Sequence, residues 1–526
     1  MWDILLRNGF VVDGSGAPGL KADVAISGEK VVAVAPRLQG EATTVVDVSG
    51  YVVCPGFMDI HSHADRSILT HPYAESALLQ GVTFVLGGQC GGSAAPLTAE
   101  TREHMQRRAQ GFTIDWLTLE EFFQRLTRET IGINIAMLVG QGTIRGAVMG
   151  AAERPATSEE LSLQQAMLRQ AMEQGAFGLS TGRRYMPGCL ATAAEIAELN
   201  QEIVPFDGLH IAHIINQDKD IIPSIEELIQ IGRDSGSRLQ LAHQKVCGKP
   251  YWGQATQCLQ LMEEARAEGI DILSDLYLHS FTQIIAISGV VREFLANRHL
   301  DNELLQSPEG RQQLTKSLEA GLSANPVRRD SVAHVGILWC LETKEYEGLD
   351  ISEGAKKMGC SLAEFMVELL HQNQGQVKTA GIMGDEDIAT ILCHPFAMVG
   401  TDSFVIDKQR IDPLEAHPRN VETYPYTLKH FVYDQKLLSL ESCIFKMSGM
   451  VARRLNLQDR GLLQPGCYAD VTVFDPQTIA PQASLTEPSA YPTGIVHVWV
   501  NGKQAVKDGE VTGVRAGQVV KNPSKA

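Results

Sequence analysis

Histidine, cysteine and aspartate side chains of the types that bind metals follow several short apolar segments of the sequence. His61 and His63 are separated by one residue and follow the apolar run 52–60, and Asp65 comes shortly after them. Because side chains alternate between the two faces of a strand, two histidines in this spacing project from the same face. Two imidazoles on one face are suitable ligands for zinc. The pair therefore predicts a metal site, against the alternative of two histidines with ordinary structural roles.

A cysteine and two further histidines follow later apolar segments. Cys90 lies between glycines in the run 87–93, which leaves its thiolate approachable by a metal. His210 and His213 are three residues apart and face opposite sides of a strand, so we expect His213 to be a ligand and His210 to be a packing residue. His243 supplies another imidazole. Lys245 lies on the same side as His243 and is placed to meet an anionic group of a substrate, unless it is an ordinary solvent-exposed lysine.

Asp402 follows the apolar segment 397–400. A carboxylate beside a bound metal can accept a proton from water and pass it to a leaving group. An aspartate at the end of a strand can equally be a helix cap. Because the candidate metal ligands share this location at strand ends, we predict that Asp402 takes part in the chemistry.

The elements that must position these residues alternate between short apolar strands and amphipathic helices. Eight candidate strands end near His61, Cys90, Gly140, Ser180, His213, His243, Asp275 and Asp402. Several successive ends are about 30 residues apart, which is the length of one β/α unit. The pattern predicts an α/β fold, a parallel (β/α)₈ TIM barrel with its active site at the carboxyl ends of the strands.

The two ends of the chain have a different pattern from the middle. Residues 1–54 and 464–526 alternate apolar and polar positions between turn signals, which is typical of short antiparallel strands. We expect these segments to form one small β-sandwich domain and residues 55–463 to form the barrel. The interval from Asp275 to Asp402 is too long for one crossover, so we predict an inserted subdomain over residues 280–390 that covers the barrel mouth and contains a helix at 362–371.

Composition excludes several classes of protein. The 526 residues carry a net charge of −17 and no long Lys/Arg cluster, which argues against a nucleic-acid partner. No apolar stretch reaches the roughly 18 residues that would span a membrane. The 10 cysteines are scattered, which indicates a reducing compartment rather than a disulfide framework. We expect a soluble cytoplasmic protein with a small-molecule substrate; the sequence leaves its oligomeric state open.

These motifs resemble the amidohydrolase superfamily, and within it the N-acyl-D-amino-acid deacylases (D-aminoacylases). The resemblance covers almost the whole chain in order. The matching segments are 56–63, Cys90-Gly91, 175–182 with Tyr185, 243–245, 275–277, 400–402, 417–419 and 460–471.

The resemblance implies a distorted barrel, a β-sandwich built from both termini, and a zinc-dependent hydrolase that acts on the amide bond of N-acyl-D-amino acids or related amides with a free carboxylate. Cys90, His213 and His243 would be the tight zinc ligands, and His61 and His63 a second, weaker metal position. Asp402 would be the catalytic acid and base. The side chains that would bind substrate, mainly through its carboxylate, are Lys245, Tyr277, Arg419 and Tyr185.

The sequence departs from the family pattern at three places. After His213 the family has an Arg and a Glu, where this chain has Ile215 and Gln217. Gln141 stands where the family has a histidine, although the arginine that follows it in the family is kept as Arg145. Leu278-His279 stands where the family has Pro-Tyr. Because the metal and acid/base positions are intact, we expect retained hydrolytic chemistry in a pocket with an altered substrate.

Two other functions remain open. A cyclic-amide hydrolase, such as a hydantoinase or dihydroorotase, or an isoaspartyl dipeptidase would usually carry a lysine on the fourth strand, and residues 177–182 contain none. A catalytically silent binding protein on the same fold would explain the lost charges but not the survival of every proposed ligand. Metal content distinguishes this last class from the enzymes.

Overall fold

The computed structural model describes residues 1–107, 109, 111–295, 299–324, 326–407 and 416–524. Its strands belong to one nine-stranded sheet, one six-stranded sheet and two three-stranded sheets. In chain order the strands are β1 (Trp2–Val11), β2 (Leu20–Ser27), β3 (Lys30–Ala35), β4 (Ala42–Asp47), β5 (Val52–Pro55), β6 (Phe57–Asp59), β7 (Val82–Gly87), β8 (Asn134–Met137), β9 (Val139–Gly140), β10 (Gly178–Gly182), β11 (Leu209–His213), β12 (Arg238–Leu241), β13 (Ile272–Leu276), β14 (Ile285–Ala286), β15 (Val335–Cys340), β16 (Val377–Gly381), β17 (Ala397–Val399), β18 (Val471–Phe474), β19 (Ile495–Val500), β20 (Lys503–Lys507) and β21 (Glu510–Val511).

Helices connect most of the central strands. In chain order they are α1 (Glu75–Leu78), α2 (Ala99–Gln106), α3 (Leu119–Glu129), α4 (Gln141–Met149), α5 (Ser158–Glu173), α6 (Ala193–Gln201), α7 (Ile221–Ser235), α8 (Ala255–Ala267), α9 (Ile287–Arg292), α10 (Pro308–Ala324), α11 (Pro326–Ala333), α12 (Ile351–Met358), α13 (Leu362–Gln372), α14 (Asp385–Cys393), α15 (Arg419–Thr427), α16 (Leu440–Met447) and α17 (Gly449–Arg454). Among the described residues, no helix is both long and apolar enough to cross a membrane.

Helix α3 illustrates why these segments fold as helices. Thr118 accepts a hydrogen bond from the backbone N–H of Glu121, and the Glu121 carboxylate accepts one from the backbone N–H of Thr118, so the two residues form a capping box. Leu119, Phe122 and Leu126 recur at helical spacing on one face and are fully buried. The amphipathic pattern thus places the apolar face of the helix in the main hydrophobic core.

The terminal segments share the nine-stranded sheet, in the order β21-β20-β19-β18-β5-β1-β2-β3, with β4 beside β1. The prediction of antiparallel strands is wrong at two pairings, because β1 runs parallel to both β4 and β5. The β2–β3 hairpin lies on one side of β1, and the chain then crosses to the other side before it forms β4 and β5. The packing of this sheet into a two-layer sandwich remains a prediction.

The apolar run 52–60 is not one strand. Strand β5 pairs with β18 in the terminal sheet, whereas β6 pairs with β7 among the central strands. The chain changes sheet at Gly56, where a Cβ atom would lie 2.2 Å from Oγ1 of Thr83. A glycine is therefore required at the crossing, and His61 follows the second of the two short strands.

Each of the eight predicted central segments contains a strand. Strands β6, β7 and β8 form a parallel sheet, and β9 to β13 with β17 form the six-stranded sheet, also parallel. An isolated parallel bridge between Ser62 and Ser403 joins the segments that follow β6 and β17. The carboxyl ends of the first and last central strands are thus neighbours.

The long interval between β13 and β17 has a hydrophobic core of its own. Strands β14, β15 and β16 form an antiparallel sheet, and a separate cluster of buried side chains runs from Ile287 to Val377. Hydrogen bonds from Ser331 to Asp218 at 3.0 Å and from the backbone of Gly248 to Ile382 at 2.8 Å join this insertion to the loops after β11 and β12. The insertion therefore packs against loops at the carboxyl ends of the central strands.

Candidate metal centre

The predicted site residues meet in one cavity of about 870 Å³ at the carboxyl ends of the central strands. His61 is fully buried beside it. The predicted residues that line the cavity are His63, Cys90, Tyr185, His213, His243, Lys245, Tyr277, Asp402 and Arg419. The structure thus brings together side chains at or after the ends of seven central strands and one from α15.

Three of these side chains are carried by strained backbone. Cys90, His243 and Asp402 have φ angles of +53°, +34° and +50°. Residues other than glycine rarely adopt this left-handed region, and such residues concentrate at functional sites. Each lies within three residues of the end of a strand, and all three line the cavity.

The glycine-rich loop around Cys90 is held by a buried carboxylate. Asp65 accepts hydrogen bonds from the backbone N–H groups of Gly88 and Ala94, both at 3.0 Å. Ser180 bridges the same loop, since it donates to the carbonyl of Gly88 and accepts from the N–H of Gly91. Asp65 and Ser180 therefore fix the position of the thiol.

The donor atoms of Cys90 and His213 both lie close to Nε2 of His243, slightly closer than the ligands of a bound tetrahedral zinc ion. Sγ of Cys90 lies 3.3 Å from Nε2 of His243, and the same nitrogen lies 3.0 Å from Nδ1 of His213. Zinc–nitrogen and zinc–sulfur bonds of ordinary length at tetrahedral angles place such atoms about 3.3 to 3.6 Å apart. One cysteine and two histidines are a donor set that fits zinc by its chemistry.

A second group of donors adjoins the first. Nε2 of His63 and Nε2 of His61 lie 3.2 and 3.6 Å from Oδ1 of Asp402, and Nε2 of His61 is 3.5 Å from Sγ of Cys90. The donor atoms of His61, Cys90, His243 and Asp402 all lie within 4.8 Å of one another. The Cys90 sulfur lies between the two groups, so it is placed to serve both.

Electrostatic interactions favour the protonation states that bind metal. Burial alone would raise the pKa of Cys90, but the neighbouring imidazoles of His243 and His61 lower that pKa well below its usual value. Burial lowers the pKa of His213, and burial together with Lys245 lowers the pKa of His243 to about 4. These shifts favour the forms that bind metal, a thiolate at Cys90 and neutral imidazoles at His213 and His243.

Asp402 is kept ionised by its surroundings. Burial would raise the pKa of Asp402, but the positive charge of Arg419 and the nearby His243 lower it well below the usual range. Nη1 of Arg419 donates a hydrogen bond to Oδ2 of Asp402 at 2.8 Å. The carboxylate is thus ready to accept a proton.

Two of the predicted substrate-binding side chains, Lys245 and Arg419, contact a third, Tyr277. The guanidinium of Arg419 lies 4.6 Å from the centre of the Tyr277 ring, and its Nη2 donates to Gln283 at 3.1 Å. Nζ of Lys245 donates to the Tyr277 hydroxyl at 3.1 Å. Tyr185 is half exposed and contacts His213 edge-on, with 4.9 Å between the ring centres. The cavity thus holds two cationic side chains close to Asp402.

Sequence reasoning did not assign a role to Asp275, which supports two of the histidines. Oδ1 of Asp275 lies 2.9 Å from Nδ1 of His61 and accepts a hydrogen bond from the backbone N–H of His243 at 2.7 Å. The carboxylate is fully buried. Its position at the end of a strand was a signal in the sequence, but the partner histidines become visible only when the neighbouring strands are known.

The departures from the family pattern lie in different surroundings. Nε2 of Gln217 lies 3.1 Å from Nδ1 of His243 and donates a hydrogen bond to the backbone carbonyl of His243 at 3.4 Å, so Gln217 contacts a proposed zinc ligand. Gln141 and His279 do not line the cavity. His279 contacts Glu422 at 3.3 Å. The effect of these departures on the substrate stays a prediction.

His210 points away from the centre, toward α6. Its Nε2 lies 2.9 Å from Oγ1 of Thr181, and its Nδ1 accepts from the side-chain amide of Asn200 at 2.9 Å. The ring is fully buried. Both ring nitrogens are thus occupied within the protein interior, as expected for a packing residue.

Comparison with known proteins places this chain among metal-dependent hydrolases. Residues 360–506 match the amidohydrolase family. The chain is 32% identical to the D-aminoacylase of Alcaligenes xylosoxydans xylosoxydans over 520 residues, which cover 99% of this chain and 97% of that protein. It is 30% identical to the N-acyl-D-aspartate deacylase of the same organism, over 98% of this chain and 95% of that protein.

Solved structures give the same relationship. The N-acyl-D-glutamate deacylase of Bordetella bronchiseptica, crystallised with zinc and a phosphonate inhibitor, superimposes with a TM-score of 0.76 at 27% identity and covers 99% of both chains. The dihydropyrimidinase of Brevibacillus agri reaches a TM-score of 0.57 at 15% identity, with coverage of 100% of both chains, and shares the fold alone.

Proposed function

Since this chain belongs to the D-aminoacylase family of amidohydrolases, we propose that it is a zinc-dependent hydrolase that cleaves the amide bond of N-acyl-D-amino acids. The observation that carries the proposal is the convergence of Cys90, His213 and His243 beside Asp402 in one cavity. Its substrate is a small molecule that carries a free carboxylate.

Cys90, His213 and His243 hold one zinc ion in this proposal, and His61 and His63 provide a second, weaker position. When bound, zinc supplies a Lewis acid that polarises the scissile carbonyl and lowers the pKa of a coordinated water. Asp275 and Gln217 orient the rings of His61 and His243 toward the shared centre.

Asp402 performs the proton transfers. Its carboxylate, ionised beside Arg419, accepts a proton from the attacking water as the oxygen–carbon bond forms. Asp402 then donates that proton to the amide nitrogen as the carbon–nitrogen bond breaks. The products are a carboxylic acid and a free D-amino acid, so atoms and protons balance.

Lys245, Tyr277 and Arg419 bind the carboxylate of the substrate. Arg and Lys side chains are suited to this task because their hydrogen bonds to carboxylates are charge-assisted. Lys245 and Arg419 both contact Tyr277, which keeps the two positive charges on one side of the cavity. Tyr185 lies beside His213 and contacts the part of the substrate nearest the zinc.

We also infer that the two parallel sheets are parts of one (β/α)₈ barrel over residues 55–463, with the insertion over 280–390 across its mouth. The bridge between Ser62 and Ser403 supports closure between the first and last strands. Residues 1–54 and 464–526 would then form the β-sandwich domain. In this arrangement the site lies where barrel enzymes carry their catalytic residues.

A cyclic-amide hydrolase is less well supported. Strand β10 (Gly178–Gly182) carries no lysine that could be carboxylated to bridge two metals. The sulfur of Cys90 instead lies between the two groups of ligands.

Hydrolysis by the zinc-loaded protein tests the proposal. N-acetyl-D-leucine, N-acetyl-L-leucine and a 5-substituted hydantoin are incubated with equal amounts of enzyme, and released amino acid or ring-opened product is measured. Release from the D substrate alone, abolished by a chelator and restored by zinc, is the expected result. Hydrolysis of the hydantoin alone would overturn the proposal.

A further inference from the structure

His417 lies just before helix α15, which begins at Arg419, and takes no part in the proposed reaction. Its side chain is fully buried and does not line the cavity. Nδ1 of His417 accepts a hydrogen bond from the backbone N–H of Arg419 at 3.0 Å, and Nε2 lies 3.3 Å from the backbone carbonyl of Phe281. The ring thus joins the first residue of α15 to the loop after β13.

The two partners define the protonation state of the His417 ring. A backbone N–H can only donate and a backbone carbonyl can only accept, so Nδ1 is unprotonated and Nε2 carries the proton. Rotation of the ring by half a turn would put carbon atoms at both positions and lose both hydrogen bonds. Burial and the charge of Arg419 lower the pKa of His417 well below its usual value, which keeps the ring neutral. His417 therefore makes both contacts in one neutral form.

Aromatic side chains hold the His417 ring in this orientation. Its centre lies 4.6 Å from that of Phe281, 5.6 Å from that of His279 and 6.4 Å from that of Tyr277. The last two contacts are edge-on, a favourable arrangement for aromatic rings at these distances. Tyr277 in turn contacts the guanidinium of Arg419. The ring is therefore packed between the loop after β13 and the proposed substrate-binding side chains.

The guanidinium of Arg419 is held by two partners and keeps one nitrogen in reserve. Nη1 donates to Asp402 at 2.8 Å, and Nη2 donates to Gln283 at 3.1 Å. Nε is buried and has no hydrogen-bond partner within the described part of the chain. Because the donors of a guanidinium lie in one rigid plane, a shift of the Arg419 backbone would disturb all of these directions together. The position of that backbone therefore matters for the chemistry at Asp402.

We propose that His417 is a positioning residue for Arg419. It holds the backbone of Arg419 against the loop after β13, so that one guanidinium can contact Asp402 and bind the substrate carboxylate at the same time. This role rests on the proposed function, because His417 acts through Arg419 and not on the substrate. Gln283 lies two residues after Phe281, so one short segment contacts Arg419 both directly and through His417.

A double-mutant cycle between His417 and Arg419 tests this role. The kcat/KM for N-acetyl-D-leucine is measured for the zinc-loaded wild type, His417→Gln, Arg419→Met and the double variant. We expect His417→Gln to lower kcat/KM by about tenfold in the wild type but by less than about twofold in Arg419→Met, because its effect passes through the guanidinium. An equal loss in both backgrounds would overturn the proposal. Failure of the proposed function is a distinct result, because the wild type would then release no D-leucine.

A conservative variant separates positioning from a general loss of structure. The amide oxygen of His417→Asn can take the place of Nδ1 and accept from the N–H of Arg419, so this variant should recover part of the activity that His417→Gln loses. A His417→Asn protein no more active than His417→Gln would overturn the proposal. If His417→Gln does not fold, the cycle is measured with His417→Asn, and an equal loss in both backgrounds again overturns it.

Zinc content and a second buried histidine provide the controls. His417 contacts no proposed zinc ligand, so the His417 variants should keep the zinc content and nearly the melting temperature of the wild type. Loss of zinc from His417→Gln would show that the residue acts through the metal centre and would overturn the proposal. His210→Gln is the matched control, because His210 is also fully buried with both ring nitrogens in contact with protein groups. Any loss that it causes should be the same with and without Arg419→Met.

Discussion

Arg419 donates a hydrogen bond to Asp402 at 2.8 Å, and both side chains are buried at the cavity. The Arg419 guanidinium thus contacts Asp402, which is proposed to act as both general base and general acid. The same guanidinium is the proposed partner of the substrate carboxylate. Binding of substrate and readiness of Asp402 to accept a proton are therefore linked through Arg419.

Arg419→Met should reduce kcat/KM for N-acetyl-D-leucine by about 10-fold to 100-fold, because a charge-assisted hydrogen bond to the substrate carboxylate is lost. The comparison substrate is N-acetyl-D-leucinamide, which lacks that carboxylate. The variant and the wild type should differ less on the amide than on the acid. An equal loss on both substrates would show that Arg419 acts only through Asp402.

Zinc content should separate the two groups of ligands. Cys90→Ala removes the sulfur that lies between both groups, so the purified protein should lose zinc from both positions. His63→Asn should lose only the weaker position and retain about one ion per chain. Cys393→Ala, an exposed cysteine that does not line the cavity, is the control. Full zinc occupancy in Cys90→Ala would contradict the assignment of the centre.

Much of this site follows from the sequence because the chemistry lies at strand ends. Hydrophobic runs that stop at His61, Cys90, His213, His243 and Asp402 identify those ends, and the carboxyl ends of parallel strands meet at one edge of a sheet. The positions of these side chains could therefore be predicted without knowing any distance. The family resemblance, confirmed by the comparisons, added the roles of Lys245, Tyr277 and Arg419.

Contacts between distant segments could not be predicted in the same way. The pairing of Asp275 with His61 and of Arg419 with Asp402 depends on how loops from different strands fold over the cavity. The apolar run 52–60 predicts a single strand, because the apolar pattern does not indicate which sheet each half of the run joins.

Asp275→Asn should weaken zinc binding at the second position, which contains His61, by about 10-fold to 100-fold, because a carboxylate that orients a ligand histidine fixes the ring and raises its basicity. Chelator competition on the purified protein measures this affinity independently of activity. Asp275→Glu should recover part of the affinity, since it restores the charge. If all three proteins bind zinc equally, Asp275 has only a structural role.

His210 should make stability fall in acid. Burial lowers the pKa of His210 to about 3, against 6.5 for an exposed histidine, so the unfolded chain binds more protons than the folded chain between these values. The free energy of unfolding should therefore decrease as the pH falls, by about 2 kcal/mol from this residue between pH 7 and pH 5. Urea denaturation of His210→Gln should show a smaller decrease over that range, whereas His104→Gln, at an exposed position, should match the wild type.

Replacement of Asp402 by asparagine tests the central claim most directly, with zinc content and release of D-leucine from N-acetyl-D-leucine measured on the same preparations. Asparagine has nearly the same size as aspartate, and the variant retains the proposed zinc ligands Cys90, His213 and His243. The proposed mechanism predicts that it binds zinc like the wild type at that position and loses about 1,000-fold in kcat, because no other group placed at Oδ1 can move the proton. Undiminished turnover by a zinc-loaded Asp402→Asn protein would contradict it.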